Sequence, residues 1–311
     1  MIFTATLNQM LFLFLLIAIG YILAKLNLVP EKTENTLSKL ENYIFLPALI
    51  LGNFISNFTI DKLNNYKSLI IGSIVVEIFV VAISFLVSRA VTKDSFLRNI
   101  FLYGLCFSNF GFMGNAVVSA LFPDIFAEYV IFTLVLWSGI YLWGAPVLLI
   151  GDNDEKMNFK KAIKNFLNPM FIAMLIGMVI GIAKIRVPAF IDNVIVSLGD
   201  CMSPIAMLLT GMTVARSKLK EMVAYKSIYI ITIFRLIVYP LIFVFISKFI
   251  PESLNTFVIC TLVSLAMPLG LNTIVIPSAY GKDTRIASGM ALVSHLFACI
   301  TIPVMFSLLL K

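Results

Sequence analysis

The chain has 311 residues, 60% of them hydrophobic and 13% charged, with a mean hydropathy of +1.02. That is too apolar for a soluble globular domain and excludes a disordered chain. The net charge of +7 would by itself admit a nucleic-acid binder, but its placement gives it another meaning.

Apolar runs of about twenty residues read as membrane-spanning helices. Ten are predicted, at 7–26, 36–57, 67–89, 99–122, 126–150, 165–184, 191–215, 227–249, 255–280 and 286–310. The expected fold is an all-α polytopic membrane protein with no room for a soluble domain. The first run is too long for a signal-peptide core and follows no basic segment, so no cleavage is expected. Sixteen basic residues follow spans 1, 3, 5, 7 and 9, among them Lys25, Arg89, Lys160, Arg216 and Lys282. Only six, Lys62, Lys67, Lys184, Arg186, Lys248 and Lys311, lie on the other side. The positive-inside rule then puts both termini outside and the 151–165 loop in the cytoplasm. The charge is a topology signal. It implies a multi-pass protein of a bacterial plasma (cytoplasmic) membrane, with the lipid bilayer as partner and no nucleic acid.

Special residues recur 157 positions apart: Gly20 and Gly177, Pro47 and Pro204, Asn115 and Asn272, Pro146 and Pro303. Their contexts agree, "LIAIGYIL" with "AMLIGMVI" and "LPALIL" with "SPIAMLL". This predicts two five-helix repeats, 1–150 and 166–311, joined by the cytoplasmic loop 151–165. An odd number of spans per repeat makes the second copy inverted, which the charge asymmetry supports independently. Inverted repeats are an architecture of secondary transporters, with the substrate bound where the repeats meet.

"SNFGFMGNA" (108–116) and its counterpart "LAMPLGLNT" (265–273) interrupt spans 4 and 9 near mid-length. Gly111 and Gly114 weaken the first helix, Pro268 and Gly270 the second. Such breaks survive in a bilayer only where protein or a watery cavity satisfies the freed backbone. Asn109, Asn115 and Asn272 supply amides that bind carboxylate oxygens or brace freed carbonyls, and half-helix N-termini favour an anion. These seven residues are the candidate substrate site. The alternative is close helix packing through small residues.

Ionisable residues within spans are the candidates for coupling or ion pairing. Glu77 and Arg235 occupy nearly equivalent places in the two repeats and pair with each other, or with a proton and a substrate carboxylate respectively. His295 either titrates near neutral pH or is a hydrogen-bonded core residue. Asp200 either binds a cation or proton or contacts a helix entry near the surface. Glu41, at the start of span 2, is expected at the interface. Cys106, Cys201, Cys260 and Cys299 lie in spans without metal-type spacing and are expected to pack as small apolar residues. No hydrolase, metalloprotease or phosphate-loop motif occurs, and there is one histidine. No enzyme, metal or cofactor is expected.

The chain resembles the auxin efflux carrier family, which includes plant PIN-type carriers and bacterial permeases for malate and malonate. The resemblance covers essentially the whole chain. It rests on "LPALIL", "SNFGFMG", "SPIAMLLTGM" and "AMPLGLNTIVIPSAYGKDTRIAS", the last holding Pro268, Asn272, Ala287 and Ser288. It implies ten helices with spans 4 and 9 crossing as broken helices. Spans 1, 2, 6 and 7 would form a scaffold, often homodimeric, against which the rest moves as an elevator. Many relatives carry proline where this chain has Ala116 after Asn115, so the first break rests on its glycines. The implied function is secondary transport of a small organic anion, with proton or sodium coupling left open. A sodium-coupled symporter of the bile-acid-carrier type and a non-transporting ligand sensor are the rival readings.

Overall fold

The computed structural model describes residues 2–151, 167–216 and 223–309; the loop expected at 151–165 lies almost wholly outside them. Among the described residues the regular structure is helical. In chain order come α1 (Ile2–Lys25), α2 (33–57), α3 (Lys67–Val91), α4 (Ser95–Cys106), α5 (110–121) and α6 (Pro123–Ile150). Then follow α7 (Pro169–Ala183), α8 (Ala189–Arg216), α9 (Lys226–Ser247), α10 (Glu252–Ala266), α11 (Asn272–Ala279) and α12 (Arg285–Leu309). The order is six elements followed by six more, with the non-helical breaks after the fourth and the tenth.

Five helices are long and apolar enough to cross a membrane: α3, α6, α8, α9 and α12. They match expected spans 3, 5, 7, 8 and 10. The runs at 99–122 and 255–280 are each divided between two shorter helices, as the glycines and prolines within them suggest.

Proline shapes several helices from inside. It has no amide hydrogen and its ring crowds the carbonyl four residues back, which widens or interrupts the preceding turn. In α2 the wide turn is Glu41–Phe45, ahead of Pro47. In α6 it is Ile140–Ile150, around Pro146, and in α9 it is Phe234–Val238, ahead of Pro240. In α8 the helix breaks at Cys201, ahead of Pro204.

Two helix pairs pack at backbone distance. α1 lies along α8, and α7 along α2. A Cβ added to Gly20 would collide with the Leu208 carbonyl, and one on Gly177 would sit 3.0 Å from the Leu51 carbonyl oxygen. Gly20 and Gly177 are 157 residues apart, as are Leu51 and Leu208. The two contacts are therefore one contact, made twice with the halves of the chain exchanged. Side chains larger than hydrogen would hold the backbones apart, which is why glycine stands at both.

α3 packs on α4 and α6, while its other face leaves Ile71, Val75, Ile78, Phe79 and Leu86 exposed. Of the cysteines, Cys106 and Cys260 are buried and Cys299 partly so, but Cys201 is exposed. The interrupted turn before Pro204 holds it out of the interior.

Candidate functional site

α4 ends at Cys106 and helical turns resume at Phe110; α10 ends at Ala266 and α11 begins at Asn272. The two non-helical stretches meet. Ser108 and Leu269 form an isolated antiparallel bridge. The Asn109 amide donates to the Pro268 carbonyl at 2.7 Å, and the Gly270 amide to the Phe107 carbonyl at 3.3 Å. Each interruption thus supplies main-chain partners that the other has lost. A Cβ on Gly270 would lie 2.8 Å from the Phe107 oxygen, so the approach requires glycine. Gly111 makes the same kind of room for the Trp137 ring, and Gly114 for the Tyr129 hydroxyl, which donates to the Phe110 carbonyl at 3.0 Å.

Arg235, 1% exposed, solves the remaining problem of freed carbonyls. From the wide turn of α9 its guanidinium donates to Leu105 O at 2.9 Å, Ser264 O at 2.6 Å and Met267 O at 3.3 Å. These carbonyls close α4 and α10, where no following helical amide reaches them. Its ring neighbour is Tyr239 at 5.9 Å, whose hydroxyl bonds Ser84 at 2.8 Å. Glu77 is not within ion-pair distance of Arg235. One carboxylate oxygen of Glu77 is buried without a hydrogen bond, near Gly139 on α6. Arg235 is bound to the main chain of both interruptions.

A small cavity opens beside the bridge, lined among others by Tyr103, Asn109, Gly111, Trp137, Gly270 and Asn272. It leaves about 10 Å³ for the centre of a water-sized sphere, room for about one water. Two buried asparagines, one from each interruption, line it. Asn109 Nδ2 lies 3.1 Å from His295 Nε2, and His295 Nδ1 lies 2.8 Å from the Ala291 carbonyl. A carbonyl only accepts, so Nδ1 carries the hydrogen and Nε2 of a neutral ring accepts from Asn109. Asn272 Nδ2 donates to the Tyr103 hydroxyl at 3.1 Å. Each amide nitrogen keeps a second hydrogen, and Oδ1 of both asparagines is buried without a partner. The cavity is thus lined by two asparagines with hydrogen-bonding capacity to spare, beside Ser108 and Tyr103, which suits a small polar ligand.

Of the residues singled out in the sequence, the structure brings Asn109, Gly111, Gly270 and Asn272 together around the cavity. Pro268 contributes its carbonyl to the bridge, Gly114 adjoins Tyr129, and His295 supports Asn109. Asn115 does not line the cavity; it is half-buried, with an unpartnered Oδ1. Asp200 is exposed and lines a separate groove with Asp192, Asn53 and Ser56. Glu41 corrects an expectation: it is fully buried, not interfacial. Tyr103, Tyr129 and Trp137 carry no motif and were not anticipated. Their hint in the sequence is only that aromatic residues with a polar end stand close to both interruptions.

The family model described as "Membrane transport protein" matches this chain twice, over residues 5–161 and 153–306. The chain belongs to this family, that of the auxin efflux carriers. Two successive matches to one model fit a repeated architecture. The chain is also 22% identical, over 302 residues, to an uncharacterized transporter of Methanocaldococcus jannaschii, covering 95% of this chain and 96% of that one. The protein is thus a multi-pass transporter-family protein, with Asn109, Asn272 and Arg235 at the junction of its two matched halves.

Proposed function

We propose that the protein is a secondary transporter of small organic anions, mono- or dicarboxylates, working by alternating access at the junction of α4–α5 with α10–α11. In this reading the chain has ten spans, in two inverted repeats of five. α4–α5 and α10–α11 are spans 4 and 9, broken and crossing. α1, α2, α7 and α8 form the fixed scaffold, and the remaining helices carry the substrate past it as an elevator. The observation that carries the reading is the pair of buried amides, Asn109 and Asn272, from opposite halves of the chain in one cavity. Their free N–H groups and the first amides of the two resuming helices suit a carboxylate. With room for about one water, the site is in a closed state, and binding requires the two interruptions to part. No aspartate or glutamate lines the cavity, so nothing there favours a sodium-coupled symporter. The test is uptake by proteoliposomes across a panel of radiolabelled small carboxylates, with proton and sodium gradients imposed in turn. Uptake of one or more acids, lost in the Asn272→Ala protein, is the expected result. Binding without uptake would instead identify a sensor.

A further inference from the structure

Glu41 and Asn42 are both 0% exposed, in the wide turn that Pro47 imposes on α2. Both carboxylate oxygens of Glu41 are buried with no hydrogen-bond partner. A carboxyl with both oxygens orphaned is costly to bury as an anion and far less so when protonated. The turn is packed by the first part of α2, by α7, by α8 and by α11. One turn earlier, Ser38 Oγ donates to the Val275 carbonyl of α11 at 2.7 Å. The site is thus roofed by α11, the half-helix that resumes after the second interruption.

The charged and titratable groups on the surrounding elements leave Glu41 uncompensated. On α2, Glu34 pairs with Arg216 of α8, and Lys39 and Tyr43 are exposed. α7 has no ionisable residue before Lys184, which pairs with Asp61. On α8, Asp192, Asp200 and Cys201 are exposed. α11 has none before Tyr280, which is 40% exposed and lies beside the Asn42 amide and Tyr43. An ionised carboxylate in this place would cost several kcal/mol.

We propose that Glu41 is a proton-binding site that lets α11 close against α2 only when its carboxyl is neutral. The carboxylate takes a proton from water as α11 closes and returns it as α11 withdraws, with no other bond made or broken. A metal ion fits less well: hard cations take six or more oxygens, and the site offers three, two from Glu41 and one from Asn42. The proposal rests on the transport reading for the movement of α11, but its test needs no substrate.

The test uses the purified full-length protein with Cys201 replaced by serine. Thermal stability is measured against pH. The wild-type carboxyl binds its proton in the closed state, so stability should fall as pH rises above the range in which a free carboxyl titrates. In Glu41→Gln the fall should be shallower by the share of this one proton, leaving what Glu77, the other buried carboxyl, contributes. A flat wild-type profile, or equal slopes in both proteins, overturns the proposal. If the glutamine variant does not fold, Glu41→Leu, which fills the same apolar space, takes its place. In a second arm, alkylation of Ser38→Cys is compared with Ser38→Cys/Glu41→Gln at each pH, which cancels the thiol's own titration. The rate ratio should climb with pH, by up to about tenfold per unit for one linked proton; a constant ratio sinks the coupling to α11. Stabilisation by sodium over choline that disappears with Glu41 would make this a cation site and overturn the proton. A failed uptake screen would leave all three readouts standing.

Discussion

Arg235 and Ser264 share a hydrogen bond that ties α9 to the end of α10: Nη2 reaches the Ser264 carbonyl at 2.6 Å, and Ser108 Oγ reaches the same oxygen at 2.8 Å. One carbonyl thus gathers three elements of the junction. A charged donor makes this one of the stronger contacts in the interior, since hydrogen bonds to ionised groups contribute about 1.5–3 kcal/mol each.

Arg235→Gln should therefore lower stability by about 3 kcal/mol or more, because it leaves carbonyls of Leu105 and Met267 without their donor. Adding Glu77→Gln should not restore it, as Glu77 is not the hydrogen-bonding partner. Thermal melting of the four proteins of this mutant cycle checks the point. Recovery in the double mutant would show that the charge pair, acting at longer range, outweighs the carbonyl bonds.

Asn109→Ala and Asn272→Ala should each reduce uptake of a responding carboxylate about tenfold, a loss of about 1.4 kcal/mol. Asn115→Ala should have a much smaller effect, since Asn115 does not line the cavity. All three should remain monodisperse. Equal uptake in the Asn109, Asn272 and wild-type proteins would remove the amides from the site.

Gly20→Ala and Gly177→Ala should both destabilise, by about 1–3 kcal/mol for a forced methyl group, with Gly20→Ala the costlier because its Cβ would meet main chain more closely. Each drives a Cβ into main chain, at Leu208 and Leu51 respectively. Melting temperatures of the two variants test this; no loss at either would mean that the helix pairs part easily to admit a methyl group.

Orientation can be tested without a substrate. A cysteine at Asn158, which lies outside the described residues, should react with an impermeant reagent only from the cytoplasm, and one at Ser253 only from outside. Cys201 is exposed and must be replaced first. Labelling of Asn158→Cys in intact cells would invert the topology.

The repeat was legible because backbone-special residues keep their spacing even where apolar residues drift: Gly20 and Gly177 had to be glycine for a main-chain contact. The interruptions at 107–109 and 267–271 were legible for the same reason, through Gly270 and Pro268. Arg235 was harder. A guanidinium within a span demands partners, and a carboxylate 158 positions away was the partner the sequence could offer. Carbonyls released by a helix end leave no trace in residue identity, so the three oxygens it binds were invisible. Glu41 failed for a related reason. Its position near the start of a span suggested the interface, whereas its burial comes from α7, α8 and α11, which approach from far along the chain. Tyr103 was missed because nothing local distinguishes a tyrosine that orients an amide from one that packs.

The exchanged glycine contacts also govern how the molecule is assembled during synthesis. α1 and α2 enter the bilayer first, but their close partners, α8 and α7, belong to the second half of the chain. At roughly 5–20 residues per second, α1 waits on the order of ten seconds with its glycine face against lipid. Neither half can make its own glycine contact, so a chain cut between the halves should yield fragments that are stable only when made together. During that wait the vacant face fits the α8 of a neighbouring nascent chain as well as its own, so domain-swapped dimers are the assembly error to which this architecture is most exposed.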